Sequence, residues 1–273
     1  MKKKIIVFSG GLGNQMFQYA MALKLRLLGR KVNIDTSLYN LTKMHNGYEL
    51  DRVFGIEESQ VCRRGVHLFL LRILAKYHLP LFAVYDNLTY NPHVIESNNC
   101  YMFGYWQDER YFIDIKEEVC QKFIFKNIDE RSLLIAKEMS EVNSVSVHFR
   151  RGDYISYGMT IVEIDYYRKA IDKINSLVEN PYYYIFSDDP NEANKMAQTM
   201  AIKYKLIDHN KGKESYKDMF LMSQCKHNII ANSTFSWWGA WLNENEGKIV
   251  ISPIYWDKND LMFKPQPEDW ISL

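Results

Sequence analysis

The arrangement of the first 35 residues constrains the fold most. An apolar segment, Lys4 to Phe8, predicts a strand and is followed by a glycine-rich turn. Met16 to Leu28 then has apolar residues at helical spacing, and Gly29 is typical of a helix C-terminus. Val32 to Asp35 predicts a second strand. A strand, a helix and a strand in so short a segment form a βαβ unit with parallel strands, so the sequence predicts an α/β fold.

The second half of the chain repeats this alternation more regularly. It predicts strands at 144–149, 182–187, 204–207, 228–231 and 248–252, and helices at 164–178, 191–203, 214–224 and from Phe235. The middle, 38–126, is less regular, and helices are predicted at 67–77, 108–122 and 129–140. A chain of 273 residues suits two domains. We predict domains at 1–140 and 141–273, with packing of the segment after residue 255 against the first domain as an alternative.

Charge and composition exclude some classes of function. The chain has 34 basic and 33 acidic residues, so no basic excess favours nucleic acid as a partner. Its four cysteines are scattered without the spacing of a metal site, which is typical of a reducing compartment. The apolar segment near the N-terminus is shorter than a secretory signal, so we expect a cytoplasmic protein. Charges interrupt the apolar region 67–84, which predicts a packed helix, with a basic amphipathic helix on a membrane surface as the alternative.

Two adjacent arginines follow the predicted strand 144–149, whose apolar run is Val145 to Val147. His148, Arg150 and Arg151 precede a glycine turn and Asp153. An arginine fork pairs with two phosphate oxygens, so this loop predicts a diphosphate site. Neighbouring side chains on a strand point to opposite faces, so one arginine should face the ligand. The alternative is an ion pair with Asp153 inside the loop. The Arg-Gly-Asp tripeptide here also resembles an integrin-binding sequence, which the cytoplasmic expectation disfavours.

Two other polar segments also follow predicted strands. Asp188 and Asp189 suit a metal site, the reading of a guanine base, or capping of the helix that begins near Pro190. Asn232 to Ser236 places hydroxyl and N–H groups at a helix start, which suits a phosphate or ordinary capping. Ligands of parallel α/β sheets bind beyond the carboxyl ends of the strands. We therefore expect these segments and the arginine loop to form one site.

The first glycine turn resembles a dinucleotide fingerprint only in part. Gly11 and Gly13 fit it, but Met16 replaces the third glycine, and Asp35 is the only acidic residue near the ribose position. A nucleotide-dependent oxidoreductase is therefore an alternative, although it leaves the arginine loop unexplained. The chain has 19 Tyr and 6 Trp, whose rings can stack on sugar faces, so a non-catalytic glycan-binding protein is another alternative.

Taken together and in order, the motifs resemble those of bacterial α1,2-fucosyltransferases. They are Gly10 to Ala20, Gly104 to Gln107, His148 to Tyr154, Phe186 to Pro190 and Asn232 to Trp238. The resemblance implies a GT-B type fold, in which two Rossmann-like α/β domains face a central cleft. It implies inverting transfer of fucose from GDP-β-L-fucose to O2 of a terminal galactose, without a cofactor or a metal. A fucosyltransferase of another linkage is the alternative within this class.

The resemblance also implies roles by position. Arg150 would hold the β-phosphate, and His148 and Asp189 would contact the guanosine. The whole set of donor-binding candidates is His148, Arg150, Asp188, Asp189, Ser233, Thr234, Ser236, Gly11 and Gly13. Catalytic candidates are Arg150, Asp153 and Asn14, and acceptor-side candidates are Gln15, Trp106 and Gln107.

The general base stays open at this point. Asp153, His148 and Glu109 are candidates, and an SN1-like reaction would need only Asn14 or a phosphate oxygen. Arg151 and Asp153 have the alternative role of bracing the arginine loop. The expected setting is assembly of cell-surface polysaccharide, in the cytoplasm or at the inner face of its membrane as a peripheral protein.

Overall fold

The computed structural model describes residues 3–40, 46–58, 60–61, 65–78, 83–152 and 160–273. The chain divides into two units, Met1–Lys126 and Asn127–Leu273. Each unit contains one sheet whose described strands all pair in parallel, with helices connecting them. The predicted α/β class with parallel sheets is therefore confirmed.

The first unit has strand order β3-β2-β1-β5-β4. The strands are β1 (Lys4–Val7), β2 (Val32–Asp35), β3 (Gln60–Val61), β4 (Ala83–Tyr85) and β5 (Tyr101–Phe103). The helices are α1 (Leu12–Leu27), α2 (Leu50–Phe54), α3 (Gly65–Tyr77), α4 (His93–Glu96) and α5 (Lys116–Lys122). β1 is the central strand and every one of its residues is buried, which explains why its sequence is continuously apolar after Lys4.

The second unit has strand order β11-β10-β9-β6-β7-β8. The strands are β6 (Asn143–Phe149), β7 (Pro181–Ser187), β8 (Tyr204–Ile207), β9 (His227–Ile229), β10 (Val250–Ser252) and β11 (Ile271–Ser272). The helices are α6 (Glu130–Glu141), α7 (Ile164–Leu177), α8 (Pro190–Gln198), α9 (Tyr216–Gln224) and α10 (Thr234–Trp241). β9 and β6 lie in the middle, and apolar side chains of β6 and β7 form the core with α7 and α8.

Several elements differ from the sequence prediction. The helix predicted at 108–122 is instead two 3₁₀ turns, Glu109–Tyr111 and Ile113–Ile115, followed by α5. The Asp108 carboxylate accepts the N–H of Arg110 and caps the first turn. This local hydrogen bond competes with those of a regular α-helix. The short strands β3, β4, β5 and β11 were not predicted, because two or three residues carry too little periodicity to reveal a strand.

The division between the units lies at Lys126, before the predicted boundary at residue 140. Helix α6 causes this difference, since Ile135 and Met139 pack in one cluster with Tyr184 and Leu221 of the second unit. The end of the chain also belongs to the second unit. β11 pairs with β10 there, and the indole N–H of Trp237 donates to the carbonyl of Pro265 over 2.9 Å.

No helix within the described ranges is both long and apolar enough to cross a bilayer.

Candidate functional site

The polar segments of the second unit converge at one edge of its sheet. β6 lies between β7 and β9, with Phe149 opposite Ser187 and Val147 opposite Ile229. The residues that follow these three parallel strands therefore lie beyond neighbouring carboxyl ends. The structure thus brings together the arginine loop, the Asp188–Asp189 pair and the segment that starts α10, as the sequence predicted.

Asp188 is bound to the arginine loop. Its Oδ2 lies 3.3 Å from Nη1 of Arg150, and its Oδ1 accepts the N–H of Arg151 over 3.0 Å. The N–H of Gly152 also donates to this carboxylate. Burial opposes ionisation of Asp188, but Arg150 and these N–H groups hold its pKa below the usual value. Asp188 therefore braces the loop, a role we considered for Arg151 and for Asp153, which lies outside the described residues.

Gly152 lies close to the Asp188 carboxylate. A Cβ at this position would stand 3.0 Å from Oδ2 of Asp188, closer than side chains normally come. The glycine that seemed only to mark a turn therefore lets the backbone reach the carboxylate.

The two arginines have different surroundings. The Arg150 side chain is half-buried at 21% exposure and faces Asp188. Nη1 of Arg151 instead lies 3.8 Å from the sulfur of Met196 on α8. This agrees with the prediction that the two side chains separate, and it leaves Arg150 as the arginine paired with the braced carboxylate.

His148 is buried beside this pair. Its side chain contacts the ring of Phe235, with 6.0 Å between ring centroids, and Tyr167 donates to its backbone carbonyl over 3.0 Å. Desolvation, followed by the charge of Arg150, lowers the pKa of the imidazole well below its ordinary value. Among the described residues Nδ1 has no hydrogen-bond partner. The ring is therefore neutral, and it suits hydrogen bonding to a ligand better than ion pairing with one.

Asp189 caps a helix. Its carboxylate accepts the N–H of Glu192 over 3.2 Å at the start of α8, as one of the alternatives expected. Its own N–H donates to Oγ of Ser187 over 3.0 Å. Within the described ranges, no group of three His, Cys, Asp or Glu side chains is placed to share a metal ion.

The start of α10 presents backbone N–H groups. Ser233 is its N-cap residue, and within the described part of the chain its hydroxyl makes no capping hydrogen bond. Ser236 is buried and its hydroxyl donates to the Ser233 carbonyl over 3.3 Å, while Thr234 is half-buried. The amide of Asn232 donates to the carbonyls of Thr160 and Trp256, so it holds neighbouring segments together. The helix start suits an anion through its N–H groups more than through its hydroxyls.

The predicted residues of the first unit also gather, beyond β1 and β5. These strands pair in parallel, and the loops that follow them place Oδ1 of Asn14 2.8 Å from Nε2 of Gln107. Gly10 has φ of +79°, and a Cβ there would stand 2.4 Å from Nδ2 of Asn14. Gly11 is the N-cap residue of α1, and Gly13 is buried in its first turn.

Gln15 and Trp106 are buried at this edge. The Gln15 amide donates to the carbonyls of Gly10 and Gly47 and accepts the N–H of Glu49, so its hydrogen-bonding capacity is used inside the protein. This makes Gln15 a support for the turn, although we predicted it on the acceptor side. Trp106 is 1% exposed and stands edge-on to the ring of Tyr111. Gln107 is thus the acceptor-side candidate that is half-exposed.

This arrangement of loops agrees with the family that the motifs indicated. A family model described as glycosyl transferase family 11 matches residues 2–272. The chain belongs to this family. The family 11 protein is 34% identical to an α-1,2-colitosyltransferase of Escherichia coli, with 97% of both chains covered. It is 33% identical to the Escherichia coli O-antigen biosynthesis glycosyltransferase WbnK, over 97% of this chain and 98% of that one.

The chain is also similar to more distant proteins. Identity to the mouse galactoside 2-alpha-L-fucosyltransferase Sec1 is 22%, over 97% of this chain and 72% of that one. Among solved structures, fucosyltransferase NodZ from Bradyrhizobium superposes with a TM-score of 0.54 at 12% identity, covering 88% of this chain and 92% of NodZ. The GT-B type two-unit α/β fold expected from the motifs is therefore confirmed, and this family 11 protein is a glycosyltransferase.

Two acidic residues at these sheet edges were missed from sequence. Asp86 follows β4, and its carboxylate accepts the N–H groups of Leu88, Tyr105 and Trp106, which shapes the loop before Gln107. Because β4 has only three residues, the sequence did not reveal that Asp86 follows a strand.

Asp218 lies in the first turn of α9 of the family 11 enzyme, after β8. It accepts a hydrogen bond from the Asn210 amide over 2.8 Å, and desolvation raises the pKa of its carboxyl to about 7. A carboxyl with so perturbed a pKa near the carboxyl ends of the strands is a candidate ligand contact. Its place in a helical pattern made it look like an ordinary first-turn acid.

Proposed function

We propose that this glycosyltransferase moves L-fucose from GDP-β-L-fucose to O2 of a terminal galactose and forms an α1,2 linkage with inversion. The observation that carries the proposal is the placement of Arg150, braced by Asp188, at the same sheet edge as the N-terminus of α10. A guanidinium fork and a set of helix N–H groups are complementary to two linked phosphates.

The chemistry needs mainly a stabilised leaving group. The acceptor oxygen bonds to the anomeric carbon of fucose while the bond from that carbon to the diphosphate breaks, and GDP leaves with the bonding electrons. The proton of the acceptor hydroxyl passes to a base or to a phosphate oxygen of the leaving GDP. Negative charge grows on the β-phosphate during this step. A hydrogen-bond donor that is already positioned to stabilise this developing charge accelerates the reaction by about 10²–10³-fold. We propose that the positive charge of Arg150 stabilises the negative charge on the β-phosphate, so that the reaction proceeds without a metal ion or another cofactor.

We propose that Asp218 and His148 contribute to recognition of the guanosine. A carboxylate can accept hydrogen bonds from both N1–H and the 2-amino group of guanine. Asp218 lies in the first turn of the helix that follows β8, the strand next to β7, while His148 is buried, neutral and in contact with Phe235. Inosine diphosphate lacks the 2-amino group, so weaker binding of inosine diphosphate than of GDP would support a carboxylate contact.

On the acceptor side, we propose that Asn14 and Gln107 act as a pair. Gln107 donates to Oδ1 of Asn14 over 2.8 Å, which fixes the orientation of both amides. Such a pair can bind a sugar hydroxyl and orient it, and an oxocarbenium-like reaction needs only a weak base. Asp153 stays a prediction for the base.

A second donor has specific support. The 34% identity to an α-1,2-colitosyltransferase covers 97% of the chain, and colitose differs from fucose only by lacking the 3-hydroxyl. We therefore propose GDP-colitose as the alternative donor. The α1,2 linkage is supported by the names of this relative and of the mouse galactoside fucosyltransferase, and a glycan acceptor in cell-surface polysaccharide by the O-antigen enzyme.

The test compares donors and an arginine series. GDP-fucose and GDP-colitose are each supplied with a β-galactoside such as lactose, in the presence of EDTA, and the linkage of the product is assigned by NMR. Arg150→Ala should lose about 10²–10³-fold in kcat/KM. Arg150→Lys should be almost as inactive as Arg150→Ala, because a lysine ammonium lacks the planar pair of N–H donors that binds two phosphate oxygens.

The matched control is Arg168→Ala, which removes an exposed arginine from α7. It should keep normal turnover, and calorimetry of GDP binding and thermal melting show whether each variant is folded. Normal turnover of Arg150→Ala would refute the phosphate role, and loss of wild-type activity in EDTA would refute the metal-free reaction. No transfer from either donor would refute the assigned function.

A further inference from the structure

Helix α3 exposes a face that helices of globular proteins usually bury. Val66, Phe69 and Tyr77 are 71%, 61% and 60% exposed, Leu70 is also exposed, and Ile73 is half-buried. The spacing of these five residues follows the helical repeat, so they form one continuous stripe. We call this stripe the apolar face of α3. Single exposed apolar residues are common on proteins, but a stripe along a whole helix marks an interaction surface.

The opposite side of α3 already packs against the first unit. Leu71 is 2% exposed, and the hydroxyl of Tyr85 on β4 donates to the Leu74 carbonyl over 2.6 Å. The helix therefore has an anchored side and an apolar outer side. Because the inner side satisfies the packing of the unit, the apolar face of α3 is additional to what folding needs.

The charged residues of the segment that contains α3 have one sign. From residue 59 to residue 85 the sequence contains four arginine or lysine residues and no aspartate or glutamate, although the whole chain is almost neutral. Arg72 and Lys76 of this segment are exposed and border one side of the apolar face of α3, and Nζ of Lys76 lies 5.3 Å from the Tyr77 ring centroid. Apolar residues bordered by cations and a tyrosine are typical of helices that lie in a membrane interface.

We propose that the apolar face of α3 binds the surface of a membrane that contains anionic phospholipids. The cations would lie at the level of the phosphates, and the apolar side chains would enter the boundary of the acyl chains. A helix of 13 residues is about 20 Å long, too short to cross the hydrocarbon core, so the helix lies on the surface. The proposal is independent of the donor and of the linkage.

A second copy of the chain fits this face less well. A two-fold interface would place the same surface of both copies together, so it would bring Arg72 and Lys76 of both copies into one interface. The segment has no acidic residue to offset that repulsion. An anionic lipid surface supplies the missing charge.

Sedimentation with vesicles tests the proposal. The full-length protein is mixed with vesicles of phosphatidylcholine alone, or of equal parts phosphatidylcholine and phosphatidylglycerol. Binding should favour the anionic vesicles and weaken with added salt. The affinity for anionic vesicles should fall about 25-fold in the Arg72→Gln/Lys76→Gln variant, since each cation raises the affinity about fivefold. The same affinity should fall more than tenfold in the Phe69→Ser/Leu70→Ser variant, because less apolar area is buried in the membrane.

The matched control is Leu133→Ser/Leu134→Ser on α6. These leucines are 52% and 61% exposed, but Glu130, Glu138 and Glu141 lie on the same helix. This variant should bind vesicles like the wild type. All variants should keep wild-type transfer to a soluble galactoside, so failure of the membrane proposal is distinguishable from failure of the proposed function.

The proposal is overturned if the wild type ignores anionic vesicles or if the Phe69→Ser/Leu70→Ser variant binds as well as the wild type. It is also overturned if the wild type is a dimer that this variant converts to a monomer, with no vesicle binding by either. That result would assign the face to contact between copies.

Discussion

Replacement of Asp188 tests the architecture of the arginine loop directly. The Asp188→Asn substitution keeps the size of the side chain and the Oδ1 acceptor for the Arg151 N–H, at 3.0 Å. It removes the negative charge that lies 3.3 Å from Arg150 and that also receives the Gly152 N–H. If the carboxylate positions the loop, then removal of its charge should lower activity by weakening the contact between Arg150 and the diphosphate of the donor.

The expected magnitude follows from these three contacts. A hydrogen bond to a charged group is worth about 1.5–3 kcal/mol, and one between neutral groups about 0.5–1.5 kcal/mol. Neutralising Asp188 should therefore cost about 1 kcal/mol for each of two N–H contacts. The ion pair with Arg150 is partly exposed and adds at most about 1 kcal/mol. A sum of about 2–3 kcal/mol lowers kcat/KM by about 30- to 150-fold.

A double-mutant cycle gives the assay. The value of kcat/KM with GDP-fucose is measured for the wild type, Asp188→Asn, Arg150→Ala and the double variant. Because Asp188 acts through Arg150, its replacement should cost little once Arg150 is absent, which gives a coupling energy of about 2 kcal/mol. The control cycle uses Asp165 and Arg168, an exposed pair on α7 at 3.1 Å, whose coupling should stay below about 0.5 kcal/mol.

Two outcomes would refute this reasoning. Additive losses from Asp188→Asn and Arg150→Ala would mean that the carboxylate acts on the substrate by itself. Unchanged kcat/KM in Asp188→Asn would mean that the loop keeps its position without the charge.

Two further predictions concern other positions. The pKa of Asp218 is about 7 in the folded protein against an ordinary value of 3.8, so folding takes up a proton between these pH values, and stability falls as pH rises through this window. Asp218→Asn should therefore gain Tm relative to the wild type as pH rises, with no further gain above pH 7, and a pH-independent difference would contradict the assignment. Gly10→Ala should lose activity beyond its loss of stability, because the new methyl displaces Asn14, whereas Gly247→Ala, with φ of +71° and open space, should lose stability alone. Equal activity of these two alanine variants would argue against a role for Asn14.

Sequence patterns predicted the elements that are long and periodic. The spacing in Met16 to Leu28 predicted α1, and the valines at positions 145 and 147, two residues apart as in a strand, predicted β6. The site loops were also predictable, since polar residues after parallel strands gather at one edge. Short strands such as β4 were missed, and with β4 the role of Asp86.

The tertiary structure decided which predicted residue does what. Asp188 and Asp189 are equivalent in the sequence, yet one braces Arg150 and the other caps α8. Gln15 looked like an acceptor contact, but its amide bonds to Gly10, Gly47 and Glu49. Such roles depend on groups that are distant in sequence, and no local pattern records them.

The sequence by itself thus determined the α/β class, the order of motifs and the family, because periodicity and motif spacing are local properties of the chain. Only the tertiary structure showed that a carboxylate 37 residues from Arg151 holds the arginine loop, and that α3 turns an apolar face outward. The direction of a helix face and the partner of a charge are fixed by packing against the rest of the fold. For that reason, the loop brace and the exposed face of α3 became visible only in three dimensions.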